Sequence, residues 1–123
     1  MAIGRLFLIH WNADEVEQRA ELLRTDGWDV ETEASDGARG GKRIVADPPA
    51  AVVIDLTRLP SHGRETAHAL RSYKATRTTP IVFVGGEGEP LEKTKAKVPD
   101  AIYTTAGRLK RVLAKYASKP SQA

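Results

Sequence analysis

The stretch AVVIDLTRLPSHG, residues 51–63, limits the fold more than any other part of the chain. Four apolar residues, three of them Val or Ile, run straight into one carboxylate, Asp55, and the chain then turns. A run with no polar alternation belongs to a strand covered on both faces. PIVFVGG, residues 80–86, repeats the pattern and ends in paired glycines, while RLFLI, residues 5–9, ends at His10, Trp11 and Asn12. Strands covered on both faces need helices above and below the sheet, and the intervening segments have to supply them.

Those segments carry helical signals. In NADEVEQRAELLRTDGW, Asn12 is placed to cap a helix with Glu15 three residues on, Val16, Ala20 and Leu23 recur at helical spacing, and Gly27 ends it. WDVETEA alternates apolar and polar residues, as a strand nearer an edge does. DGARGGKRIVADPP reads as a short, glycine-interrupted helix that stops before two prolines. A polar loop holding Pro60 and Gly63 leads to a third helix over 64–77, marked by Ala67, Leu70 and Tyr73 or Lys74. EPLEKTKAKV is a weak lysine-rich helix and AIYTT a fifth strand. AGRLKRVLAKYA puts Leu109, Val112, Leu113 and Tyr116 on one face, with Thr105 as its N-cap. Five strands alternating with five helical segments predict right-handed βαβ crossovers and a mostly parallel sheet with helices on both faces. One domain over 1–118 and a frayed tail at 119–123 are expected.

Composition removes several chemistries. The chain of 123 residues has no cysteine, so it has no disulfide, thiolate metal site or cysteine nucleophile. The apolar run Leu6 to Ile9 is too short for a signal segment or a membrane span, which predicts a cytoplasmic protein with no membrane partner. Gly85, Gly86 and Gly88 lack the spacing of a phosphate-cradling loop. His62 and His68 complete no zinc pattern, and no nucleophile elbow or paired carboxylates mark an active site. No enzyme, metal or cofactor is expected.

In a parallel sheet of this kind, function sits at the carboxyl ends of the strands. Those ends carry His10, Trp11 and Asn12, then Asp55, then Gly85 and Gly86, then Thr105 and Ala106. The VVID strand with Gly63 eight positions past its Asp, TTPIVFVGG and AIYTT together resemble the response-regulator receiver domain of two-component signalling, over nearly the whole chain. The resemblance implies a flavodoxin-like, CheY-like three-layer sandwich with five parallel strands in the order 2-1-3-4-5. It gives Asp55 the phosphoacceptor position. The acidic pair that would hold magnesium aligns with His10 and Trp11, and shifting by one brings in only the neutral Asn12. The phosphoryl-reading Ser or Thr aligns with Gly85, the supporting Lys with Ala106, and the expected proline comes one residue late, as Pro60. A pseudo-receiver is therefore implied, with His10 paired to Asp55 in part of the role of metal and lysine. The plainer reading of Asp55 is a strand-terminal residue capping the next turn. Trp11 is expected to pack over the loop after strand one. Tyr103 aligns with the family's switch aromatic and, opposite Gly85, is expected in one fixed rotamer.

The family's docking face, helix four, strand five and helix five, carries Lys93, Lys95, Lys97, Arg108, Lys110 and Arg111. The function implied is phosphorylation-independent signalling through protein–protein contact with a sensor kinase, effector or second receiver, or through a homodimer on helices four and five. One alternative is a working receiver phosphorylated at Asp55, with an atypical magnesium site recruiting Asp14. Another is a basic face binding nucleic acid or an anionic ligand, less favoured because no aromatic residues interleave the lysines. Lysines that merely solubilise two helices would give the same pattern.

Overall fold

The computed structural model describes residues 2–117, so the tail at 119–123 and the domain limit at 118 fall outside the described residues. The elements run β1 (Arg5–Ile9), α1 (Ala13–Thr25), β2 (Asp29–Glu33), α2 (Gly37–Ala46), β3 (Ala51–Asp55), α3 (Pro60–Arg71), β4 (Ile81–Val84), α4 (Gly88–Lys97), β5 (Ile102–Thr104) and α5 (Leu109–Ala114). The five strands form one parallel sheet in the order 2-1-3-4-5. Among the described residues no helix is long and apolar enough to cross a membrane.

The unbroken apolar runs follow from alternation across the sheet. Leu6 and Leu8 of β1, with Val53 and Val82, face a core closed by Val16, Ala20 and Leu23 of α1 and by Leu109 and Leu113. Phe7, Ile9, Val52, Ile54 and Phe83 face a second core with Ile44, Ala67 and Leu70 from α2 and α3. Each fully buried Leu, Ile or Phe in these layers contributes about 1.5 to 3 kcal/mol.

Two local expectations are corrected. The third helix starts at Pro60, not at residue 64, and ends at Arg71 rather than 77. Pro60 belongs to the first turn, where a missing N–H is no loss, so a residue that read as loop opens the helix. Tyr73 lies past its end, 52% exposed. There the Arg71 guanidinium donates to the carbonyls of Thr76 and Thr79, and the buried Thr76 hydroxyl donates back to Leu70. The last helix opens with a 3-10 turn at Ala106–Arg108, and the Thr105 side chain makes no capping hydrogen bond. Gly107 weakens an α-helical start at that point.

Glu33 sits on the polar side of the β2 alternation, yet it is only 4% exposed. Its carboxylate accepts from the backbone N–H of Ser35 and Asp36 and from the Arg39 guanidinium at 2.7 and 2.8 Å. Asp36 then caps α2 by accepting from the Arg39 N–H. Gly40 lets the helix approach, since a Cβ there would stand 3.1 Å from Glu33 Cγ.

Candidate functional site

The register Ile9 opposite Ile54 brings His10, the next residue of the central strand, beside Asp55. Asp55 is 2% exposed. Its Oδ1 accepts from the Thr57 N–H at 2.7 Å and from the Thr57 hydroxyl, which closes an Asx turn immediately after β3. That is the turn-capping role expected of a strand-terminal Asp. A buried carboxylate still needs countercharge. His10 Nδ1 lies 3.7 Å from Oδ1 and Arg19 Nη2 lies 3.6 Å from Oδ2. Both separations are within ion-pair range and outside hydrogen-bond range.

His10 spans two carboxylates. Its Nε2 stands 3.0 Å from Glu15 Oε1, while Asn12 accepts from the Glu15 N–H at the start of α1 and so fixes where that side chain begins. Arg58, from the loop after β3, pairs with Glu15 Oε2. The Arg58 hydrogen bond, aided by its charge and by His10, holds the Glu15 carboxyl below its usual range against the opposing effect of desolvation. The result is an alternating chain, Arg58, Glu15, His10, Asp55, Arg19, that ties β1, α1 and the β3–α3 loop together. Sequence reading singled out neither Arg19 nor Glu15 for this place. The available signal was their spacing of four, which puts both on one face of α1.

Gly85 does more than lack a hydroxyl. Its φ of +75° is left-handed, and a Cβ there would stand 2.8 Å from Thr57 Cγ2. The hydroxyl that reaches Asp55 comes from Thr57 instead. Ala106 opens the exposed 3-10 turn after β5 and brings no cation.

The resemblance implies a magnesium ion, and these residues do not fit one. Asn12 is spent on the α1 cap, Glu15 on His10 and Arg58, and Asp55 faces the His10 ring and the Arg19 guanidinium, so no set of free hard oxygen ligands remains. Asp14 lies exposed in the first turn of α1. Among the described residues no three His, Asp or Glu side chains gather to hold a metal ion.

Trp11 departs from expectation. Its ring lies in the groove between α2 and α3, 5.7 Å from the His62 ring and beside Gly37 and Gly63, rather than over the β1 loop. The expectation failed because it took the whole HWN segment as pocket lining, whereas His10 and Trp11 serve different neighbours.

Tyr103 stacks on Phe83 at 5.1 Å, and its hydroxyl lies 3.0 Å from the Thr94 carbonyl and 2.7 Å from that of Val98, at the end of α4. Burial, helped by the Asp100 charge, pushes its hydroxyl up to about 12 from an ordinary value of 10.0. A raised pKa means stability that is whole below pH about 10 and drains away as pH climbs through about 12. In an alkaline absorbance titration, Tyr103→Phe is expected to remove the last phenolate step, near pH 12, and to lower stability at neutral pH by about 1 kcal/mol. A variant that retains that last step would show that another tyrosine carries it.

The expected docking face is less cationic than its sequence. Lys93 pairs with Glu89 at 2.9 Å, Lys95 with Glu92 at 3.8 Å, Lys97 with Glu65 at 3.9 Å and Lys110 with Asp26 at 3.3 Å. Such exposed pairs contribute little stability, but they offset the positive field. Arg108 and Arg111 are exposed and form no ion pair among the described residues.

No protein-family model and no curated protein matches the chain. Solved structures do. The chemotaxis protein CheY4 of Vibrio cholerae superposes with a TM-score of 0.76 at 19% identity, covering 94% of this chain and 99% of that one. The receiver domain of a Pseudomonas aeruginosa sensor histidine kinase, with a magnesium ion coordinated in its active-site cleft, gives 0.73 at 20% identity over 94% and 98%. A CheY-like response-regulator receiver domain from Methylobacillus flagellatus gives 0.71 at 17% over 94% and 99%. The chain has the CheY-like fold of receiver domains.

Proposed function

We propose that the chain is a pseudo-receiver: a cytoplasmic signalling module that acts by protein–protein contact and does not depend on phosphorylation. One observation carries the reading. Asp55 occupies the acceptor position of this fold, but the chain itself engages both of its oxygens, Oδ1 by Thr57 and His10 and Oδ2 by Arg19. In-line phosphoryl transfer to a carboxylate needs an accessible oxygen and a cation shared with the donor. Here the nearby cation is a side chain of the chain itself, the Arg19 guanidinium, and the carboxylate is 2% exposed. The partner proposed is a protein of the same signalling system, such as a kinase, an effector or another receiver. The face made by α4, β5 and α5 is its docking surface, with Arg108 and Arg111 as the charges left for an acidic partner.

The test is incubation of wild type and Asp55→Asn with a small phosphodonor, acetyl phosphate, across a magnesium titration, read by intact mass and tryptophan fluorescence. No mass gain and no fluorescence response to magnesium are expected. A magnesium-dependent gain of one phosphoryl group in wild type, absent from Asp55→Asn, would overturn the reading and make Asp55 a working acceptor.

A further inference from the structure

The helices α2 and α3 pack side by side on one face of the sheet and flank a groove of about 680 Å³. The two ends of the groove differ. At the end towards the carboxyl termini of the strands, the Trp11 ring lies 3.6 Å from the Cβ position of Gly37, 3.7 Å from that of Gly63 and 5.7 Å from the His62 ring. The carboxylates of Asp36 and Glu65 line the same end. Further along stand Lys42 and, last, Tyr73, which is 52% exposed. Among the described residues Lys42 has no ion pair, and Glu65 pairs only with Lys97, at 3.9 Å. One end is thus acidic and walled by an indole, and the other is basic and carries a projecting phenol.

The spacing of these groups is symmetric. A Cβ at Gly37 would stand 2.6 Å from Thr66 Oγ1, which sets those two residues level across the groove. At a rise of about 1.5 Å per residue, Lys42 lies about 7.5 Å below that level, and Asp36 and Glu65 lie about 1.5 Å above it. Tyr73 lies about 10 Å below it, and the Trp11 ring, between Gly37 and Gly63, about 2 Å above it. The midpoint between acid and base and the midpoint between the two aromatic ends therefore coincide to within about 1 Å. Around that midpoint the lining is small, Ala38, Gly41 and Ala69, and a Cβ at Gly41 would meet nothing within 4 Å. Glycine inside a helix costs about 1 kcal/mol relative to alanine, and no contact within the chain accounts for it at Gly41. Side chains this small let two helices cross at short distance.

A two-fold axis laid across the groove at this midpoint turns the face end for end upon itself, as the interface of a symmetric dimer requires. The same operation brings Lys42 opposite Asp36 and Glu65, and Tyr73 onto the Trp11–His62 pair, which lies too far from Tyr73 for the two to share one small ligand. A partner bearing a single sign of charge would meet its like at one end, whereas the reversed face complements both. We propose that the α2–α3 face binds a second copy of this chain, antiparallel, with Tyr73 of each copy seated against Trp11 and His62 of the other and Lys42 of each facing the other's Asp36 and Glu65. The pairing uses no residue of α4, β5 or α5 and does not depend on whether Asp55 is phosphorylated.

The experiment is sedimentation velocity over a protein concentration series, with Lys42→Glu, Glu65→Lys, Tyr73→Ser and Arg111→Glu beside wild type and each variant's folding checked by thermal unfolding. A reversible wild-type dimer is expected. Lys42→Glu and Glu65→Lys are each expected to weaken it at least about tenfold, because like charges then face each other twice across the two-fold. An equimolar mixture of those two variants is expected to regain the dimer, since in the mixed pair each ammonium again faces a carboxylate. Tyr73→Ser is expected to weaken it at least about tenfold through loss of the aromatic contact, and Arg111→Glu to leave it unchanged. A wild type that stays monomeric throughout the series overturns the proposal and leaves the groove to another protein or a small molecule. Charge variants as dimeric as wild type, or a mixture that does not regain the dimer, overturn it too, and dissociation by Arg111→Glu would move the interface to α5.

Discussion

Gly85→Thr is expected to destabilise the domain by about 2 to 5 kcal/mol and to leave Asp55 no better as a phosphoryl acceptor. Restoring the hydroxyl that receiver domains carry after their fourth strand would be the obvious repair if Gly85 were only a missing functional group. Its backbone argues otherwise. A φ of +75° puts any L-residue in the left-handed region, at a cost of roughly 1 to 2 kcal/mol, and branching at Cβ makes it worse. The new Cβ would stand 2.8 Å from Thr57 Cγ2, so Thr57 must move and weaken its hold on the buried Asp55 carboxylate, which adds about 1 to 3 kcal/mol. Because the Cβ causes both effects, Gly85→Ala should cost nearly as much in urea unfolding. Thr57→Ser, which lacks the clashing methyl, should recover part of the loss when combined with Gly85→Thr. A Gly85→Thr protein as stable as wild type would show that the loop yields freely and that the glycine is incidental.

Glu33→Gln is expected to remove roughly 2 to 3 kcal/mol at neutral pH, and to flatten the acid limb of the stability profile. The Arg39 guanidinium, then the N–H groups of Ser35 and Asp36, hold the Glu33 carboxyl at about 2 against the usual 4.5, overcoming the cost of burial. A depressed carboxyl contributes stability that is complete above the unfolded value and is lost as pH falls from about 4.5 to about 2. At about 1.4 kcal/mol per unit the shift sets the ceiling, and the exposure of Arg39 to water reduces it. Glu15 and Glu89 are also lowered, so the measurement is the difference between wild-type and Glu33→Gln unfolding free energies over that pH interval. A difference that does not shrink towards pH 2 would assign the acid sensitivity to another group.

The sheet was legible because Ala51–Asp55 and Ile81–Val84 can exist only between two covered faces, and the helices between them follow from connectivity. The start of α3 was not. Proline and glycine mark loops and first turns alike, and only the packing of Gly63, whose Cβ would meet Ile54 Cγ2 at 2.8 Å, decides which. The loss of the metal-binding pattern around Asp55 was also readable, residue against residue. What replaced it was not, because Arg19 and Glu15 look like ordinary charges on an exposed helix until the fold sets them beside Asp55 and His10. Glu33 shows the same limit in a strand. A single polar residue on the outer phase of an alternation gives no sign that the next helix will close over it.

The strand order carries a consequence for the growing polypeptide. β1 and β2, the first two strands made, pair with each other, and β3 then adds to the free side of β1, β4 to β3 and β5 to β4. No later strand has to force its way between two that are already joined. At a synthesis rate of about 5 to 20 residues per second, each strand from β3 on is made after the neighbour it adds to, so the sheet can extend in one direction as the chain is made. Among the described residues the sheet ends at β5, three half-buried residues long, and so short an edge offers little for a neighbouring chain to pair with.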